Sequence, residues 1–300
     1  MRTARITRGT KLMAAACAAL MSVTALAACG GGSGSSGAKA NCTPLVSNIT
    51  TIKSGTLTVG VIDQPPYSSY NNGSPTGMDI DFIKQIADAN CLNVEYQQAS
   101  FANAMQAIAS GQIDTATGDI NVTEKREQVV DFPRSIYLEG VGYASKKGVD
   151  VKSIDDIDAK GIKTIGIGDG YGWLADMQKV FGDKVKTYPS SVEMKQDLEA
   201  GRVDMIMEAY GTAVDEFKGN DNIAVEYANK NPDKRINSLV EPPEVSYPYT
   251  KGNTSLGQAF DKGIEKIIKD GKVKPTLKKY GLDEGLAEIR DKQYVVPATD

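Results

Sequence analysis

The chain has 300 residues and no histidine, which excludes the Ser-His-Asp triad, histidine-dependent zinc sites and imidazole acid–base chemistry. Its 34 lysine and arginine residues stand against 38 aspartate and glutamate residues, a formal net charge of −4. Residues 1–28 hold four basic and no acidic residues, so their removal leaves 30 basic residues against the same 38 and a charge of −8. This balance favours neither nucleic acid nor anionic lipid as a partner.

Residues 1–28 have the layout of a secretory signal, with four early basic side chains and then a mostly apolar run at 12–28. The run is shorter than the roughly 20 apolar residues of a membrane-spanning helix. It ends in LAAC, which is similar to the bacterial lipobox and implies that Cys29 is acylated and becomes the first mature residue. The Gly/Ser-rich segment 29–41 then predicts a flexible tether that reaches roughly 20 Å. The alternative is cleavage at an ordinary Ala-x-Ala site, with Cys29 a leftover thiol.

The other cysteines predict one disulfide. Cys17 leaves with the signal and Cys29 is acylated, so Cys42 and Cys91 remain as a pair in an exported domain. A disulfide between them is favoured over two free thiols. In the chain-entropy model, closing a loop of that length contributes about 4 kcal/mol.

Apolar periodicity in the first third of the mature chain predicts alternating strands and helices. The predicted elements are a strand at 57–61, a helix at 80–87, a strand at 94–96, a helix at 101–108 ended by Gly111, and a strand at 113–117.

A second unit repeats this alternation. Its predicted elements are a strand at 163–167, a helix at 174–181, a strand at 185–188, a helix with Ser191 as N-cap and Gly201 as stop, and a strand at 203–207. GTLTVGVID at 55–63 matches GIKTIGIGD at 161–169, and AIASGQID at 107–114 matches DLEAGRVD at 197–204. Two related α/β units in tandem follow from these matches, with a further helix from Leu256 onwards.

The alternation predicts an α/β fold in which each unit, or lobe, is a mainly parallel sheet flanked by helices. Ligands of open α/β sheets bind beyond the carboxyl ends of the strands, and pockets favour interfaces between domains. Asp63 and Asp169 each follow the first strand of their unit. Lobes that face each other would place these aspartates on opposite walls of one cleft. The alternative, which spacing leaves open, is that both aspartates cap neighbouring turns.

Three longer segments carry a family resemblance. PTGMDIDFIKQIAD (75–88), SGQIDTATGDINVTEKREQVVDF (110–132) and SYPYTKGNTSLGQAFDKGIEKIIKDG (246–271) resemble the family 3 extracellular solute-binding proteins of ABC importers, typically receptors for polar amino acids. The resemblance covers roughly residues 55 to 282 in the family's motif order. It implies a type II periplasmic-binding-protein-like fold, whose two lobes are joined by two crossover segments and close over the ligand. The implied ranges are 42–143 for the first part of lobe 1, 144–244 for lobe 2, 245–290 for the return to lobe 1, and 291–300 for a tail.

The NVTEKR sequence that begins at Asn121 matches the family's Ser/Thr-x-Thr-x-x-Arg, which implies that Asn121, Thr123 and Arg126 bind the ligand's α-carboxylate. A planar guanidinium donates two parallel hydrogen bonds to a carboxylate, and Thr123 can cap the short helix that carries Arg126. From the residues alone, the alternative is a solvated charge cluster of Arg126 with Glu124 and Asp131.

Two positions depart from the family's pattern. The family's ammonium-binding Asp follows the Asp of Gly-Arg-Val-Asp by five residues, where this chain has Ala209, preceded by Glu208. The family's Gly-Thr-Thr-like loop is replaced by Gly-Tyr-Gly-Trp, which contains Tyr171 and Trp173. The carboxylate for a ligand ammonium would then come from Glu208, from Asp169 or from a shifted strand end.

Acidic and aromatic side chains dominate the candidate cleft. The acids that outnumber Arg126 are Asp63, Asp119, Asp169 and Glu208, and the aromatic residues are Tyr67, Tyr70, Tyr171, Trp173 and Tyr210. The hypothesis is a ligand with a carboxylate and surplus or diffuse positive charge, either a basic amino acid or a quaternary or cyclic zwitterion held by cation–π attraction. Tyr67 stands where the family places an aromatic against the ligand side chain. The alternative is that Tyr67 packs behind its Pro-Pro turn and that other aromatics are lobe packing or docking surface.

The expected function is that of a receptor exported to the outer face of the cell membrane, anchored there through acylated Cys29, which hands a small ligand to the membrane subunits of an ABC permease. A monomer is expected, with no catalytic residue, cofactor or metal and no bound nucleic acid. Two alternatives stay open. One is a secreted dehydratase-like enzyme on the same scaffold, with Glu208 or Glu139 as a general acid of raised pKa. The other is a lipoprotein that senses a ligand and signals to a membrane kinase.

Overall fold

The computed structural model describes residues 42–297, so the predicted signal at 1–28, the acylation site Cys29 and the tether at 29–41 lie outside the described residues. No helix within 42–297 is long and apolar enough to cross a membrane. The strands of this part of the chain are β1 (Thr56–Ile62), β2 (Ser69–Asn71), β3 (Ser74–Thr76), β4 (Asn93–Ala99), β5 (Thr115–Thr117), β6 (Val130–Asp131), β7 (Tyr137–Leu138), β8 (Val141–Lys146), β9 (Ile165–Gly168), β10 (Val185–Tyr188), β11 (Met205–Ala209), β12 (Ile223–Tyr227), β13 (Glu244–Val245) and β14 (Tyr249–Thr250). The α-helices are α1 (Met78–Ala89), α2 (Phe101–Ala109), α3 (Glu124–Glu127), α4 (Ile154–Ala159), α5 (Leu174–Phe181), α6 (Ser191–Glu199), α7 (Tyr210–Glu216), α8 (Asn237–Val240), α9 (Thr254–Lys269) and α10 (Val273–Lys279).

Two five-stranded sheets share one pattern of strand directions, with strand orders β4-β1-β5-β14-β6 and β10-β9-β11-β8-β12. The first three strands of each sheet are parallel, and the fourth runs antiparallel to both of its neighbours. One strand in each sheet therefore opposes the other four. The predicted α/β fold with two mainly parallel sheets is confirmed.

The internal repeat has the same local chemistry in both lobes. Asp114 accepts hydrogen bonds from the backbone N–H of Thr58 at 2.8 Å and from its hydroxyl at 2.5 Å. Asp204 accepts the equivalent bonds from Thr164 at 2.9 Å and 3.1 Å. Each aspartate fastens the start of the third strand to the start of the first, so both sheets are held in the same register.

The predicted apolar positions form the cores. Leu57 of β1 and Ile83 of α1 are fully buried in the first lobe, and Ile167 of β9 and Met177 of α5 are fully buried in the second. On α9, which is the helix predicted from Leu256 onwards, Ile264 is fully buried and Ile268 is 38% exposed.

Three local predictions in the second lobe were wrong by one or two residues. The strand predicted at 163–167 is observed at Ile165–Gly168. Ser190, not Ser191, is the N-cap of α6, and its hydroxyl accepts a hydrogen bond from the Glu193 N–H at 3.3 Å. The strand predicted at 203–207 is observed at Met205–Ala209, since Asp204 is held in its bonds to Thr164 and pairing starts after it.

The chain passes between the two sheets twice, and the two passages pair with each other. β7 lies antiparallel to β13, and the Glu139 N–H donates to the carbonyl of Pro243 at 2.9 Å. After the first passage the chain enters β8 of the second sheet, and after the second it returns to the first sheet as β14. The residue ranges given above for the two lobes and the tail stay a prediction.

The predicted disulfide between Cys42 and Cys91 is present, with a Cα–Cα distance of 5.7 Å across a sequence separation of 49. Cys91 follows the end of α1, so the bond fastens the beginning of the described chain to that helix.

Candidate ligand-binding site

A cavity of about 290 Å³ opens at the carboxyl ends of the strands, where segments of both lobes meet. Its walls come from the loops after β1, β5, β9 and β11, from the two passages between the sheets, and from a segment near the C-terminus. The lining residues are Gln64, Asn121, Thr123, Glu139, Gly170, Tyr171, Gly172, Trp173, Glu208, Ala209, Ser238, Pro243 and Val296.

The first-lobe wall is built by the loop between β5 and α3. Thr123 caps the short helix α3, and its hydroxyl accepts a hydrogen bond from the Arg126 N–H at 3.2 Å. The Arg126 Nη1 donates to the carbonyl of Asn121 at 2.6 Å, and its guanidinium lies 4.8 Å from the centre of the Phe101 ring. Burial lowers the pKa of Arg126, although the nearby Glu139 and Asp119 oppose the shift. The cation is thus positioned beside the cavity by its own loop.

A buried carboxylate supports this loop from behind. Asp79 is fully buried and accepts hydrogen bonds from the backbone N–H groups of Gly118 and Asp119, at 3.0 Å and 3.1 Å. The hydroxyls of Tyr137 and Tyr247 donate to its other oxygen at 2.9 Å and 3.1 Å. These bonds hold the chain where Asp119 takes a left-handed φ of 57°.

The second-lobe wall is built around Glu208. The carboxylate is 1% exposed, and it accepts hydrogen bonds from the Ala209 N–H at 2.9 Å and the Tyr171 hydroxyl at 2.9 Å. Burial raises the pKa of Glu208 to about 7, since the two hydrogen bonds only partly oppose the cost of removing the charge from water. The ring of Trp173 packs edge-on against Tyr171 at 5.0 Å and is 6% exposed.

A second carboxyl group, Glu139, lines the same cavity from the first passage between the sheets. It is half-buried and accepts a hydrogen bond from the Asn121 side-chain amide. Burial raises the pKa of Glu139, and the Asn121 hydrogen bond and the Arg126 charge oppose that shift. Burial, followed by the Glu139 charge, raises the pKa of Asp119 well above its ordinary value.

Five of the ten predicted ligand-binding residues line the cavity, namely Asn121, Thr123, Tyr171, Trp173 and Glu208. Two more, Asp119 and Arg126, are not part of the lining in this conformation. Both lie close to Glu139, because the Glu139 charge shifts the pKa of each of them and the Arg126 charge shifts the pKa of Glu139.

The other three lie away from the lining. Asp63 is exposed and accepts a hydrogen bond from the Ser69 hydroxyl at 2.7 Å. Asp169 is exposed and donates its backbone N–H to Tyr188. Tyr67 is fully buried, with its ring parallel to that of Tyr137 and centroids 6.0 Å apart. The structure thus does not place Asp63 and Asp169 on opposite walls of this cavity, and Tyr67 packs in the interior.

Six lining side chains were not predicted as ligand contacts: Gln64, Glu139, Ala209, Ser238, Pro243 and Val296. From the sequence, Glu139 was predicted only as a possible general acid of the alternative enzyme. Local sequence carries no signal for it or for Val296, because long-range pairing between the two passages and with the C-terminal segment brings them to the site.

The tandem repeat does carry a signal for Glu208. An offset of 90 residues relates Asp114 to Asp204, so Asp119 corresponds to Ala209 and Gly118 to Glu208. Glu208 of β11 therefore stands one position before the place that corresponds to Asp119, which lies two residues after the end of β5. Where the family pattern has an acid this chain has Ala209, and the acid before it, Glu208, lines the cavity.

The cavity region combines hydrogen-bond donors with carboxyl groups. Asn121, Thr123 and the adjacent Arg126 offer donors to a carboxylate, while Glu139 and Glu208 offer acceptors to a cation. No group of three or more histidine, cysteine, aspartate or glutamate side chains within residues 42–297 is arranged to hold a metal ion.

Comparison with known proteins gives consistent results. The family model for bacterial extracellular solute-binding proteins, family 3, matches residues 57–283. The L-cystine-binding protein TcyJ of Escherichia coli (strain K12) is 28% identical over 232 residues, which cover 75% of this chain and 82% of TcyJ. The probable amino-acid-binding protein YxeM of Bacillus subtilis (strain 168) is 24% identical over 270 residues, which cover 88% of this chain and 92% of YxeM.

Solved structures match as well. An ancestral arginine-binding protein bound to arginine aligns with a TM-score of 0.55 and 28% identity over 75% of this chain and 98% of that one. The second substrate-binding domain of Lactococcus lactis GlnP, in an open conformation, aligns with a TM-score of 0.63 and 22% identity over 77% of this chain and 97% of that one. The two-lobe fold of these proteins is that of the chain described above.

Proposed function

Because the chain belongs to the bacterial extracellular solute-binding proteins of family 3, we propose that it captures an amino acid or amino-acid derivative and delivers it to the membrane subunits of an ABC permease. Its relatives include amino-acid- and cystine-binding proteins. We further propose that it works as a monomer at the outer face of the cell membrane, held there by an acylated Cys29. The tether would let the receptor dock on a permease and release it without leaving the membrane surface.

One observation supports the ligand class: two buried or half-buried carboxyl groups of raised pKa, Glu139 and Glu208, line one cavity. Ionising either group in the empty cavity costs free energy, and a ligand cation between them recovers it. With Asp119 also close, acids outnumber the single base Arg126. The site therefore favours a ligand with more positive charge than a neutral zwitterion carries, such as a basic amino acid.

The opposite end of the ligand is proposed to lie at Arg126. Its guanidinium can donate a pair of parallel hydrogen bonds to a carboxylate, with the Thr123 hydroxyl and Asn121 amide beside it. Between the two ends, the faces of Trp173 and Tyr171 offer cation–π contact to a charged or quaternary side chain. The role assigned to Arg126 requires it to turn its free nitrogens towards the cavity when the ligand enters.

The test is calorimetric titration of the full chain carrying Cys29→Ser with the standard amino acids, L-cystine, glycine betaine and ectoine. Micromolar or tighter binding of a basic or zwitterionic member supports the proposal. Trp173→Ala should weaken that binding by more than about tenfold, because the indole lines the cavity. Heat signals that do not saturate with any compound in the panel would end the amino-acid proposal.

A second candidate function rests on the same carboxyl group. A buried glutamic acid with a pKa of about 7 is protonated often enough at neutral pH to act as a general acid, as a dehydratase would need. Incubating the purified chain with prephenate or arogenate and following the aromatic product by absorbance tests this role. Turnover that Glu208→Gln abolishes would favour the enzyme over the receptor.

A further inference from the structure

The C-terminal segment of the described chain is built into the wall of the cavity. The Val296 N–H donates to the carbonyl of Val122 at 3.0 Å, and the Glu124 N–H donates to the carbonyl of Val296 at 3.0 Å. These two bonds form a parallel bridge to Thr123, the residue that caps α3. The segment thus adds one strand-like residue to the loop that carries the anion-binding donors.

Two anchors hold the segment before it reaches the site. Arg290 pairs with Glu241 at 2.9 Å and with Glu244 of β13 at 3.1 Å, where the Glu244 carboxylate is 1% exposed. Gln293 then donates its side-chain amide to the Ser135 hydroxyl at 2.8 Å and to the carbonyl of Pro133 at 2.9 Å. Both anchors lie on the passages between the sheets or immediately before them, so the segment 290–297 is fixed to the frame of the site.

Val296 contributes an apolar side chain beside the polar lining residues of the loops after β1 and β5. Its neighbours in the first-lobe part of the lining are Gln64, Asn121, Thr123 and Glu139. The family model ends at residue 283, and Val296 lies 13 residues beyond that end. The wall position is therefore supplied by a part of the chain that the family pattern does not cover.

We propose that Val296 is a specificity-determining residue, which closes the Thr123 end of the ligand cavity and sets the size of ligand that fits there. The inference rests on the proposed receptor function and adds a wall that selects among its ligands. An isopropyl group next to Thr123 keeps water from the carboxylate end of the ligand. In that drier surrounding the hydrogen bonds from the guanidinium gain strength.

The structure also predicts how binding responds to the size of this side chain. Val296→Ala opens the wall, admits water and removes apolar contact, and a methylene-sized change in an apolar contact alters affinity about tenfold. Val296→Phe projects a ring into a cavity of about 290 Å³ and excludes the larger ligands first. The neighbouring Val295, which is not part of the lining, is the matched control, since Val295→Ala makes the same chemical change outside the cavity.

The experiment is titration of the full chain carrying Cys29→Ser with the twenty standard amino acids and L-cystine, comparing Val296→Ala, Val296→Phe, Val295→Ala and a chain that ends at Asp291. We expect Val296→Ala to weaken binding about tenfold, Val296→Phe to shift the ranking towards smaller ligands, and Val295→Ala to stay within about twofold of the parent. The chain that ends at Asp291 should lose at least as much affinity as Val296→Ala.

Hydrogen exchange gives a readout without ligand. The Glu124 amide, bonded to the Val296 carbonyl, should exchange at least about tenfold faster in the chain that ends at Asp291, and the Asp114 amide should not change. Unchanged affinities and ranking in all variants, with the parent binding a ligand, would overturn this inference and leave the receptor function intact. If the parent binds nothing in the panel, the proposed function fails and the inference falls with it. An unprotected Glu124 amide in the parent would overturn the inference independently of any ligand.

Discussion

Glu208→Gln tests the proposed recognition of a ligand cation. Glutamine has nearly the same shape, so its side-chain oxygen can still accept a hydrogen bond from the Ala209 N–H or the Tyr171 hydroxyl. The substitution removes the negative charge and its titration, and it turns one accepting oxygen into an amide group that can donate to the Tyr171 hydroxyl instead. Differences between the variant and the parent therefore report on the charge.

The magnitude follows from the pKa. Burial raises the pKa of Glu208 from its ordinary value of 4.5 to about 7. Each pKa unit corresponds to about 1.4 kcal/mol, so ionising Glu208 in the empty cavity costs about 3 kcal/mol more than in the unfolded chain. If a ligand cation binds the ionised form, affinity scales with the ionised fraction, which for a pKa of about 7 is roughly 0.9 at pH 8 and roughly 0.1 at pH 6. Affinity should then fall about tenfold between these two pH values.

The assay is calorimetric titration of the parent and the variant at pH 6, 7 and 8, each in two buffers of different ionisation enthalpy. At pH 6 the parent should release about one proton for each ligand bound, because the ligand selects the ionised carboxylate. Glu208→Gln should bind at least about tenfold more weakly at pH 8 and show a flatter pH dependence, with any slope that remains assigned to Glu139. Glu193→Gln, the same change at an exposed position on α6, should reproduce the parent.

The unliganded protein gives an independent measurement. Because the folded state holds the Glu208 proton more tightly than the unfolded state, this group's contribution to stability is complete below pH 4.5 and is lost as pH rises through 7. Glu208→Gln removes that loss, so at pH 8 its free energy of unfolding should exceed that of the parent by up to about 3 kcal/mol. Near pH 4 the two proteins should have the same free energy of unfolding in urea. Equal stability at pH 8 together with an unchanged pH slope of binding would refute the reasoning about Glu208.

Three further changes test the rest of the site and the fold. Arg126→Lys should weaken binding of any carboxylate ligand about tenfold or more in the same titration, because an ammonium cannot make the paired contact of a guanidinium; unaltered affinity would remove Arg126 from the site. Gly211→Ala would place a Cβ 2.4 Å from the Tyr67 hydroxyl oxygen and should cost about 1–3 kcal/mol in urea unfolding, part of which Tyr67→Leu in the same chain should recover; additive effects of the two changes would contradict the contact. Replacing both Cys42 and Cys91 by serine opens a loop with a sequence separation of 49 and should lower the free energy of unfolding by about 4 kcal/mol, a loss below about 1 kcal/mol being incompatible with the loop-entropy argument.

Sequence reasoning predicted the elements whose formation depends on local pattern. The strand β1 and the helix α1 form where the apolar residues recur at strand and helix spacing. Those side chains are buried, and that spacing alone defines which face of each element turns to the core. The matched peptides of the two lobes became matched hydrogen bonds, because Asp114 and Asp204 each serve the same local purpose in the sheet. Errors of one or two residues arose at element ends, where competing caps such as Ser190 and the residue after it differ little in free energy.

Whether a predicted site residue lines the cavity depends on whether its position is fixed by residues near it in the sequence or by residues far from it. Thr123 lines the cavity because a short motif builds its cap and its helix. Tyr67 follows a strand in the same way, but its ring is drawn into the interior by Tyr137, 70 residues further on, and by the close approach of Gly211. Asp63 is held at the surface by Ser69, six residues away, in a hairpin the sequence did not predict. Where the local turn and the long-range packing disagree, the packing decides which side chain faces the ligand.

The family resemblance is likewise informative only for the part of the chain that the family pattern covers. It identifies the loop around Thr123, which lies within the matched residues 57–283. It also identifies the end of β11, although this chain has its acid there at Glu208 and not at 209. It carries no information about Val296, which reaches Thr123 only through backbone bonds across 173 residues of sequence. Two receptors can therefore share the loop around Thr123 and still differ in the ligand they select. In this chain, selection would arise from the charge at Glu208 on one side of the cavity and from the size of the side chain at 296 on the other.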